Sequence, residues 1–250
     1  MKKLIILCAC VSVLSFVATS CMLQTANGQD GSTAANGESS SSTKTIEVKD
    51  FSQLEVNLNY DVVLVQGDEN KVVLKMSEAK QKRINCHNEG SKLVVEESGE
   101  SWWETTTSSG ASKVTIYFKD INRLISSCNG SIKGDVSTTN KLIVELNNNG
   151  RTTLGLHTAT LLVESNCNGS VHFSGNAETF VITNNNNGAL DAEELKAEVL
   201  TLTNNANGRT RVYASNTLTI DHSGNGSLSY SGKPTQKNIT NNGNGAISER

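Results

Sequence analysis

The sequence predicts an all-β fold, in which residues 121–250 form a parallel β-helix, or solenoid, of about seven 19-residue coils. Three observations predict it: within residues 121–250 the dipeptide Asn-Gly occurs seven times, its glycines are 18 to 20 residues apart, and apolar residues flank it at strand spacing. Self-similarity at a fixed short period indicates a solenoid of repeats. The dipeptides are Asn129-Gly130, Asn149-Gly150, Asn168-Gly169, Asn187-Gly188, Asn207-Gly208, Asn225-Gly226 and Asn244-Gly245.

Each repeat has the same apolar columns around its glycine. In the second repeat, Leu142 and Val144 lie eight and six positions before Gly150, and Leu154 lies four positions after it. Apolar residues two positions apart have the period of a β-strand, so each repeat is predicted to be a strand, an Asn-Gly corner and a second strand. Because glycine adopts φ > 0 freely and asparagine tolerates it, we expect the corner glycines at positive φ.

The constant period distinguishes stacked coils from a series of hairpins. Asn-Gly between strands is also a hairpin signal, but hairpins alternate in direction and give no reason for the same residue types to recur every 19 positions. In a parallel coil, each position stacks on its counterpart about 4.8 Å away. The residue three positions before each glycine is always Asn or Ser. Stacked Asn side chains can hydrogen-bond along such a column.

The corners and two flanking segments resemble the head GIN domain family of auto-transporter adhesins. The segments are Phe51 to Gly67 (FSQLEVNLNYDVVLVQG) and a closing stretch with Tyr230, Gly232 and Pro234, and the resemblance spans about residues 46–247. Asn stands here where the family usually has Ser at the corner, which preserves the turn chemistry. The resemblance implies a right-handed β-helix and a location at the cell surface or envelope.

Residues 1–20 are predicted to be a lipoprotein signal peptide. A charged start, Lys2-Lys3, precedes an apolar run, and small residues precede Cys21. The apolar run is too short for a comfortable membrane span. We predict that Cys21 carries a lipid anchor. The alternative is ordinary secretion, with Cys21 an incidental thiol.

The residues after the signal peptide divide into a tether and a β-domain. Residues 21–43 comprise the lipidated cysteine and a segment rich in Gly, Ser, Thr and Asn, which has almost nothing to bury and is predicted to be flexible. Residues 44–250 are predicted to form one β-domain. Its first part, 44–120, is an irregular β-rich half that lacks the Asn-Gly period and covers the N-terminal end of the solenoid. A separate sandwich domain is the alternative.

These features predict a protein held by its lipid at the bacterial outer membrane. No acidic run follows Cys21, so the sequence leaves the choice between the periplasmic and the extracellular face open. The formal net charge of −3 gives no support to nucleic-acid binding. The oligomeric state is not specified by the sequence.

Three cysteines remain in the β-domain: Cys86, Cys128 and Cys167. Cys128 and Cys167 occupy the same column, two coil steps or about 9.6 Å apart. This exceeds the limit of about 7 Å between the Cα atoms of a disulfide. All three are therefore expected to be free thiols. The same spacing argues against a metal site, and no cofactor is predicted.

The sequence does not indicate a catalytic site. His172, Asp191 and Arg211 occupy one column, but no nucleophile joins them, and an outward ladder of charges between strands accounts for them. Polysaccharide lyases also use β-helices and need clustered acidic ligands for calcium. In this chain Asp135, Asp191 and Asp221 fall in different columns. A fold alone does not confer chemistry.

Two features are candidates for binding. Trp102 and Trp103 lie in a polar loop, where they could form a sugar-stacking or protein-contact patch or a lid on the core. The corner asparagines could form a hydrogen-bonding ladder for a glycan if they face outwards; their alternative role is turn formation and stacking. We therefore predict a non-catalytic, adhesin-like or scaffold lipoprotein with a glycan or a cell-surface protein as its partner. The alternative is a glycan-binding or polysaccharide-processing β-helix enzyme.

Overall fold

The computed structural model describes residues 41–98 and 112–250. It is nearly all-β, with 62% strand and 2% helix, and 18 strands form one hydrogen-bonded network. One short helix, α1 (Glu78–Gln81), lies between β4 and β5. The strands are β1 (Ser42–Glu47), β2 (Gln53–Asn57), β3 (Asp61–Gln66), β4 (Lys71–Met76), β5 (Ile84–Glu89), β6 (Lys92–Glu97), β7 (Lys113–Phe118), β8 (Arg123–Ser126), β9 (Ile132–Ser137), β10 (Lys141–Leu146), β11 (Thr152–Ser165), β12 (Val171–Asn184), β13 (Leu190–Asn204), β14 (Thr210–Tyr213), β15 (Thr217–His222), β16 (Leu228–Ser231), β17 (Gln236–Asn241) and β18 (Ile247–Glu249).

From β8 to β18 the chain forms parallel coils, which confirms the predicted fold class. Each coil has strand residues before and after its Asn-Gly corner, and both segments pair in parallel with their counterparts in the next coil. Leu142, Leu161 and Phe180 are in direct register. The apolar columns of the sequence are therefore the columns of the core. Seven corners enclose six complete intervals, and the solenoid has about 6 turns.

The first half of the chain adds two more coils, and their order in space differs from their order along the chain. β2 and β3 form one coil, which pairs in parallel with β8 and β9 on one side and with β6 and β7 on the other. The β2–β3 coil, which comes first along the chain, therefore lies second in the stack, between the β6–β7 coil and the β8–β9 coil. This half, predicted as irregular, contains regular coils, and its strands belong to the same network as the repeats. A separate sandwich domain is not what the structure shows.

The remaining strands cover the N-terminal end of the solenoid, as the sequence analysis expects. β5 pairs antiparallel with β6, while β4 pairs antiparallel with β7 and carries β1 on its other edge. Antiparallel strands continue the hydrogen bonding of the outermost coil, so that coil does not present a bare edge. Gly90, at φ 61, begins the tight turn between β5 and β6.

One core runs the length of the solenoid. Buried apolar side chains from Phe51 to Tyr230 belong to a single cluster. Inward and outward positions alternate along each strand, so Leu200 and Leu202 are fully buried while Thr201 between them is exposed. Each buried leucine stabilises the fold by roughly 1.5–3 kcal/mol.

The corner glycines do not have the conformation expected from the sequence. Among the described residues, the glycines at positive φ are Gly90, Gly134, Gly175 and Gly232, so the expectation of positive φ at the Asn-Gly corners is wrong. The neighbouring coil excludes a side chain instead. A Cβ on Gly188 would overlap the carbonyl oxygen of the glycine one coil earlier and lie 2.5 Å from the preceding asparagine oxygen. Every corner glycine meets backbone of the preceding coil in this way. Close stacking, rather than the turn, requires glycine.

We expect Gly188→Ala to destabilise the protein by about 1–3 kcal/mol or more, because the methyl group has to displace backbone of the adjacent coil. Gly67 is a matched control, since a Cβ there has nothing within 4 Å and its φ does not require glycine. Gly67→Ala should change stability by less than about 0.5 kcal/mol. Urea unfolding of both variants measures the difference. Equal stability of the two variants would contradict the close-stacking explanation.

Candidate functional site

The most regular surface feature is a ladder of asparagine amides along the corners. The seven corner asparagines are all exposed. Each Nδ2 donates to the Oδ1 of the asparagine one coil earlier, at 2.6–3.0 Å from Asn149 onwards. Asn129 donates in turn to Asn59, at the corner of the β2–β3 coil. We call this chain of eight side chains the corner ladder: Asn59, Asn129, Asn149, Asn168, Asn187, Asn207, Asn225 and Asn244.

A second, shorter ladder flanks the first. Asn166, Asn185 and Asn205 each donate to the asparagine one coil earlier, at 2.8–3.1 Å, starting from Asn147. These side chains are also exposed. Both asparagine columns that the sequence singled out therefore face solvent and hydrogen-bond along the solenoid axis.

The corner ladder begins at a buried carboxylate. Asn59 Nδ2 donates to Glu97 Oε2 at 2.8 Å, and the Glu97 side chain is only 8% exposed. A carboxylate can only accept, so Asn59 has to turn its NH₂ group towards Glu97 and its oxygen towards Asn129. Because each amide donates to the oxygen of the amide before it, the orientation of Asn59 fixes the orientation of every amide in the ladder.

Two further groups hold Glu97 in place. Tyr60 Oη donates to Glu97 Oε1 at 2.9 Å, and Arg83 forms an ion pair with the same oxygen at 2.9 Å. Burial, and after it the hydrogen bond to Glu97, raises the pKa of Tyr60 to about 12. The N-terminal half thus supplies a charged, fully hydrogen-bonded end for the repeats.

The ladder leaves hydrogen-bonding capacity for a ligand. An asparagine amide has two N–H donors and an oxygen with two lone pairs, and the ladder uses one donor and one lone pair of each. The exposed corner therefore presents one donor and one acceptor per coil, repeated about every 4.8 Å. Because neighbouring amides hold one another, these groups are ordered before any ligand arrives.

A buried polar track, which was not expected from the sequence, runs beneath the corners. Asn204 Oδ1 accepts from Asn184 Nδ2 at 2.8 Å and from Thr210 Oγ1 at 3.0 Å. Its own Nδ2 lies 2.9 Å from Nδ1 of His222, which is fully buried. It could have been predicted from the polar residues four positions before the corner glycine, because strand alternation points their side chains inwards. The track belongs to the interior of the solenoid.

A polar groove follows the other end of the coils, where each second strand bends into the next coil. It consists of three adjoining hollows of about 380, 510 and 260 Å³. The first two share Asp120, Thr138 and Thr139, and the last two share Asn176 and Glu178. We call these hollows together the axial groove. No pattern in the sequence identified it, because its walls are short bends without a repeated motif.

The predicted charge ladder forms in part. Arg211 pairs with Asp191 at 3.3 Å. His172, Asp191 and Arg211 are in register, as the column predicts, but the His172 ring lies 3.4 Å from Glu194, beyond a register shift that follows His172. The ion pair of Arg211 with Asp191 is partly exposed on the sheet surface, where such contacts contribute little.

The three cysteines of the β-domain are free thiols, as the column spacing predicts. Burial raises the pKa of Cys86 to about 11 and also raises the pKa values of Cys128 and Cys167. Asn148, between Cys128 and Cys167 in the column, accepts from the Cys128 backbone N–H at 2.7 Å. In the part of the chain that the structure describes, no group of three or more His, Cys, Asp or Glu residues could hold a metal ion.

Several predicted features lie outside the described residues. They are the signal peptide 1–20, Cys21, the tether up to residue 40, and Trp102 with Trp103. The first described strand begins at Ser42, inside the segment assigned to the tether. Within residues 41–98 and 112–250, no helix combines the length and apolar character that a membrane crossing requires.

Fold and surface together define a β-solenoid with an ordered amide face. The family model described as "putative auto-transporter adhesin, head GIN domain" matches residues 50–234. The chain therefore belongs to the head GIN domain family. Adhesins of this class are proteins of the cell surface or envelope. No curated protein matches the chain.

Solved structures share the fold. A putative adhesin from Bacteroides fragilis is 19% identical, with a TM-score of 0.76 over 84% of this chain and 97% of its own. A putative adhesin from Parabacteroides distasonis is 18% identical, with a TM-score of 0.59 over 86% and 98%. A putative lipid binding protein from the same species is 16% identical, with a TM-score of 0.52 over 86% and 98%. At these identities the likeness shows the fold alone.

We expect the protein to lose stability as the pH rises from about 10 to about 12, because Tyr60 ionises near 10 when unfolded and near 12 when folded. The stabilising contribution is complete below pH about 10 and is lost as the pH passes the folded pKa. Tyr60→Phe should remove this part of the pH dependence. Spectrophotometric titration should also show that the ionisation near pH 12 disappears in Tyr60→Phe and persists in Tyr213→Phe. Its persistence in Tyr60→Phe would contradict the assignment.

Proposed function

We propose that this protein is an envelope lipoprotein, anchored through Cys21, whose solenoid is a non-catalytic adhesive surface. Its partner is a repetitive cell-surface molecule, either a glycan or a surface protein. The observation that carries the proposal is the corner ladder, an exposed row of eight ordered amides. Membership of the head GIN domain family supports the adhesive role.

The conformation of the corner does not explain why asparagine recurs there. Lys233 is the one non-glycine residue at positive φ among those described, so no corner asparagine adopts the left-handed conformation that favours this residue. A turn alone would accept other residues at ordinary φ. The recurring feature that remains is the amide side chain itself.

Stacking does not explain the asparagines fully either. In the flanking column, Ser127 and Ser223 stand in place of asparagine. Their backbone N–H groups still bond to the adjacent coil, at 2.8 and 2.9 Å. Coils therefore stack without an asparagine at that column, whereas the corner column has asparagine in the β2–β3 coil and in all seven repeats. An outward binding role accounts for this difference.

A row of equal, weak sites suits adhesion to a repetitive surface. Each hydrogen bond contributes about 0.5–1.5 kcal/mol, and contacts linked on one rigid body add up to much higher avidity than any single contact. The polysaccharide-processing enzyme is the alternative, and it differs in an observable way, because it would release shortened chains from a bound glycan.

The adhesive role can be tested with the chain from residue 21 carrying Cys21→Ala, labelled and applied to bacterial cells and to immobilised mucin. We expect saturable binding to one of these surfaces. Asn168→Ala combined with Asn187→Ala should weaken it by about tenfold, because two central amide contacts are lost. Thr201→Ala combined with Thr203→Ala is the matched control, since both residues are exposed but lie away from the corner. Absence of binding, or equal loss in the control, would contradict the proposal.

The anchor is tested by metabolic labelling with a fatty-acid analogue. We expect the full-length chain to be labelled and to sediment with membranes, and Cys21→Ser to be unlabelled and released in soluble form. Membrane fractions washed with high salt and carbonate separate anchoring from loose adsorption. Labelling that persists in Cys21→Ser would show that the lipid is attached elsewhere or that another segment holds the membrane.

A further inference from the structure

We propose that the axial groove is a second binding site, which takes one extended, uncharged polysaccharide chain along the solenoid axis. The inference rests on the proposed adhesive role and adds a ligand class. It does not depend on the corner ladder, because the corner and the bend are the two opposite ends of each coil.

The groove has the shape that a linear polymer requires. Its exposed side chains are stacked coil by coil: Ser137 pairs with His157, His157 with Asn176, and Asn176 with Lys196. Gln66 precedes this row and Tyr213 follows it. Six coils in succession span five steps of about 4.8 Å, or roughly 24 Å. The groove therefore runs across the strands, along the direction in which the coils stack.

Neutral polar groups line most of this length. Amides come from Gln66, Asn140 and Asn176, and hydroxyl groups come from Ser137, Thr138, Thr139 and Ser215. Amides and hydroxyls both donate and accept hydrogen bonds, which matches the hydroxyl groups of a sugar.

Several of these groups are held in place by the protein. Gln66 Nε2 donates to the carbonyl oxygens of Lys119 and Ser137 at 3.0 and 2.8 Å, and its Oε1 accepts from the Ser137 N–H at 2.8 Å. His157 Nδ1 lies 2.6 Å from Asn176 Oδ1, so Nδ1 carries the proton and Nε2 is the nitrogen that can accept from a sugar hydroxyl. An ordered lining reduces the entropy lost on binding.

The charges in the groove select against charged polymers. Asp120, Glu178 and Glu198 are distributed over the three hollows, and so are the basic residues Lys119, Arg123, Lys141 and Lys196. A polyanion would meet the carboxylates at intervals, and a polycation would meet the lysines. An uncharged chain meets neither repulsion, and this difference gives selectivity.

A peptide fits the groove less well than a glycan. Peptides in extended form bind to sheets by pairing with a strand edge. Here the backbone at the bends is already paired between coils, as in the bonds from Thr138 N to the His157 oxygen and from Ser215 N to the Ala197 oxygen, both 2.9 Å. Of the described residues that line the groove, Tyr213 alone is aromatic, and Lys196 covers its ring at 4.0 Å. The described residues of the groove thus offer a peptide neither a free strand edge nor an uncovered tyrosine ring.

The test is affinity electrophoresis, which measures how far a polymer in the gel retards the chain from residue 21 carrying Cys21→Ala. The gels contain one of two neutral polymers, yeast mannan or a neutral β-glucan, or one of two charged ones, the anionic alginate or cationic glucosamine oligomers. We expect retardation by at least one of the two neutral polymers and less by the charged ones. His157→Ala combined with Asn176→Ala should reduce retardation at least tenfold, and Thr201→Ala combined with Thr203→Ala should leave it unchanged. Glu178→Gln combined with Glu198→Gln should increase binding to alginate, because two carboxylates that repel a polyanion are neutralised.

The outcomes separate this inference from the adhesive proposal. Loss of neutral binding in the His157 and Asn176 variant, with binding retained in the Asn168 and Asn187 variant, supports the groove. The reverse pattern overturns the groove and leaves the corner ladder as the adhesive site. Stronger binding to alginate or to glucosamine oligomers than to both neutral polymers, or no binding to either neutral polymer, also overturns it. Thermal melts of each variant establish that the fold is intact.

Discussion

The structure depends on one contact, the close approach of backbone to backbone where a corner glycine lies on the coil before it. A Cβ at any of the seven corners would overlap or crowd main-chain atoms of the preceding coil. Glycine at this position lets successive coils stack at strand spacing, and stacking in register places equal residues above one another. The apolar columns, the buried polar track and the exposed ladders all follow from that register.

The corner ladder joins the repeats to the half of the chain that has no repeats. Its amides are aligned head to tail, with their N–H ends towards Glu97. A buried negative charge at the N–H end of a row of dipoles is stabilised in the same way as an anion at a helix N-terminus. In return, the carboxylate gives the ladder a direction. The N-terminal half is therefore a part of the same electrostatic unit as the Asn-Gly coils.

Much of this fold could be predicted, because the information was periodic. The spacing of the glycines gave the coils, the alternation around them gave the core, and the column of Cys128 and Cys167 gave free thiols. What depends on threading or on local accidents could not be predicted. No motif shows that β2 and β3 insert between later strands, and the polar β5 lacks a strand pattern. The contact between His172 and Glu194 accompanies a local register shift, and the axial groove lies at bends that differ from coil to coil.

Repetition also bears on the adhesive role proposed for the corner ladder. The corner ladder repeats at a fixed spacing along the solenoid axis, and the axial groove follows the same axis with side chains that differ from coil to coil. Their side chains are tied to one another, as in the asparagine ladders and in the contact between His157 and Asn176, so little freedom is lost when a ligand binds. Every further Asn-Gly coil lengthens the corner ladder by one amide. A partner that is itself a repeating polymer gains a contact at each coil, whereas a small molecule gains one contact in total. The geometry of the solenoid therefore favours long partners over small ones.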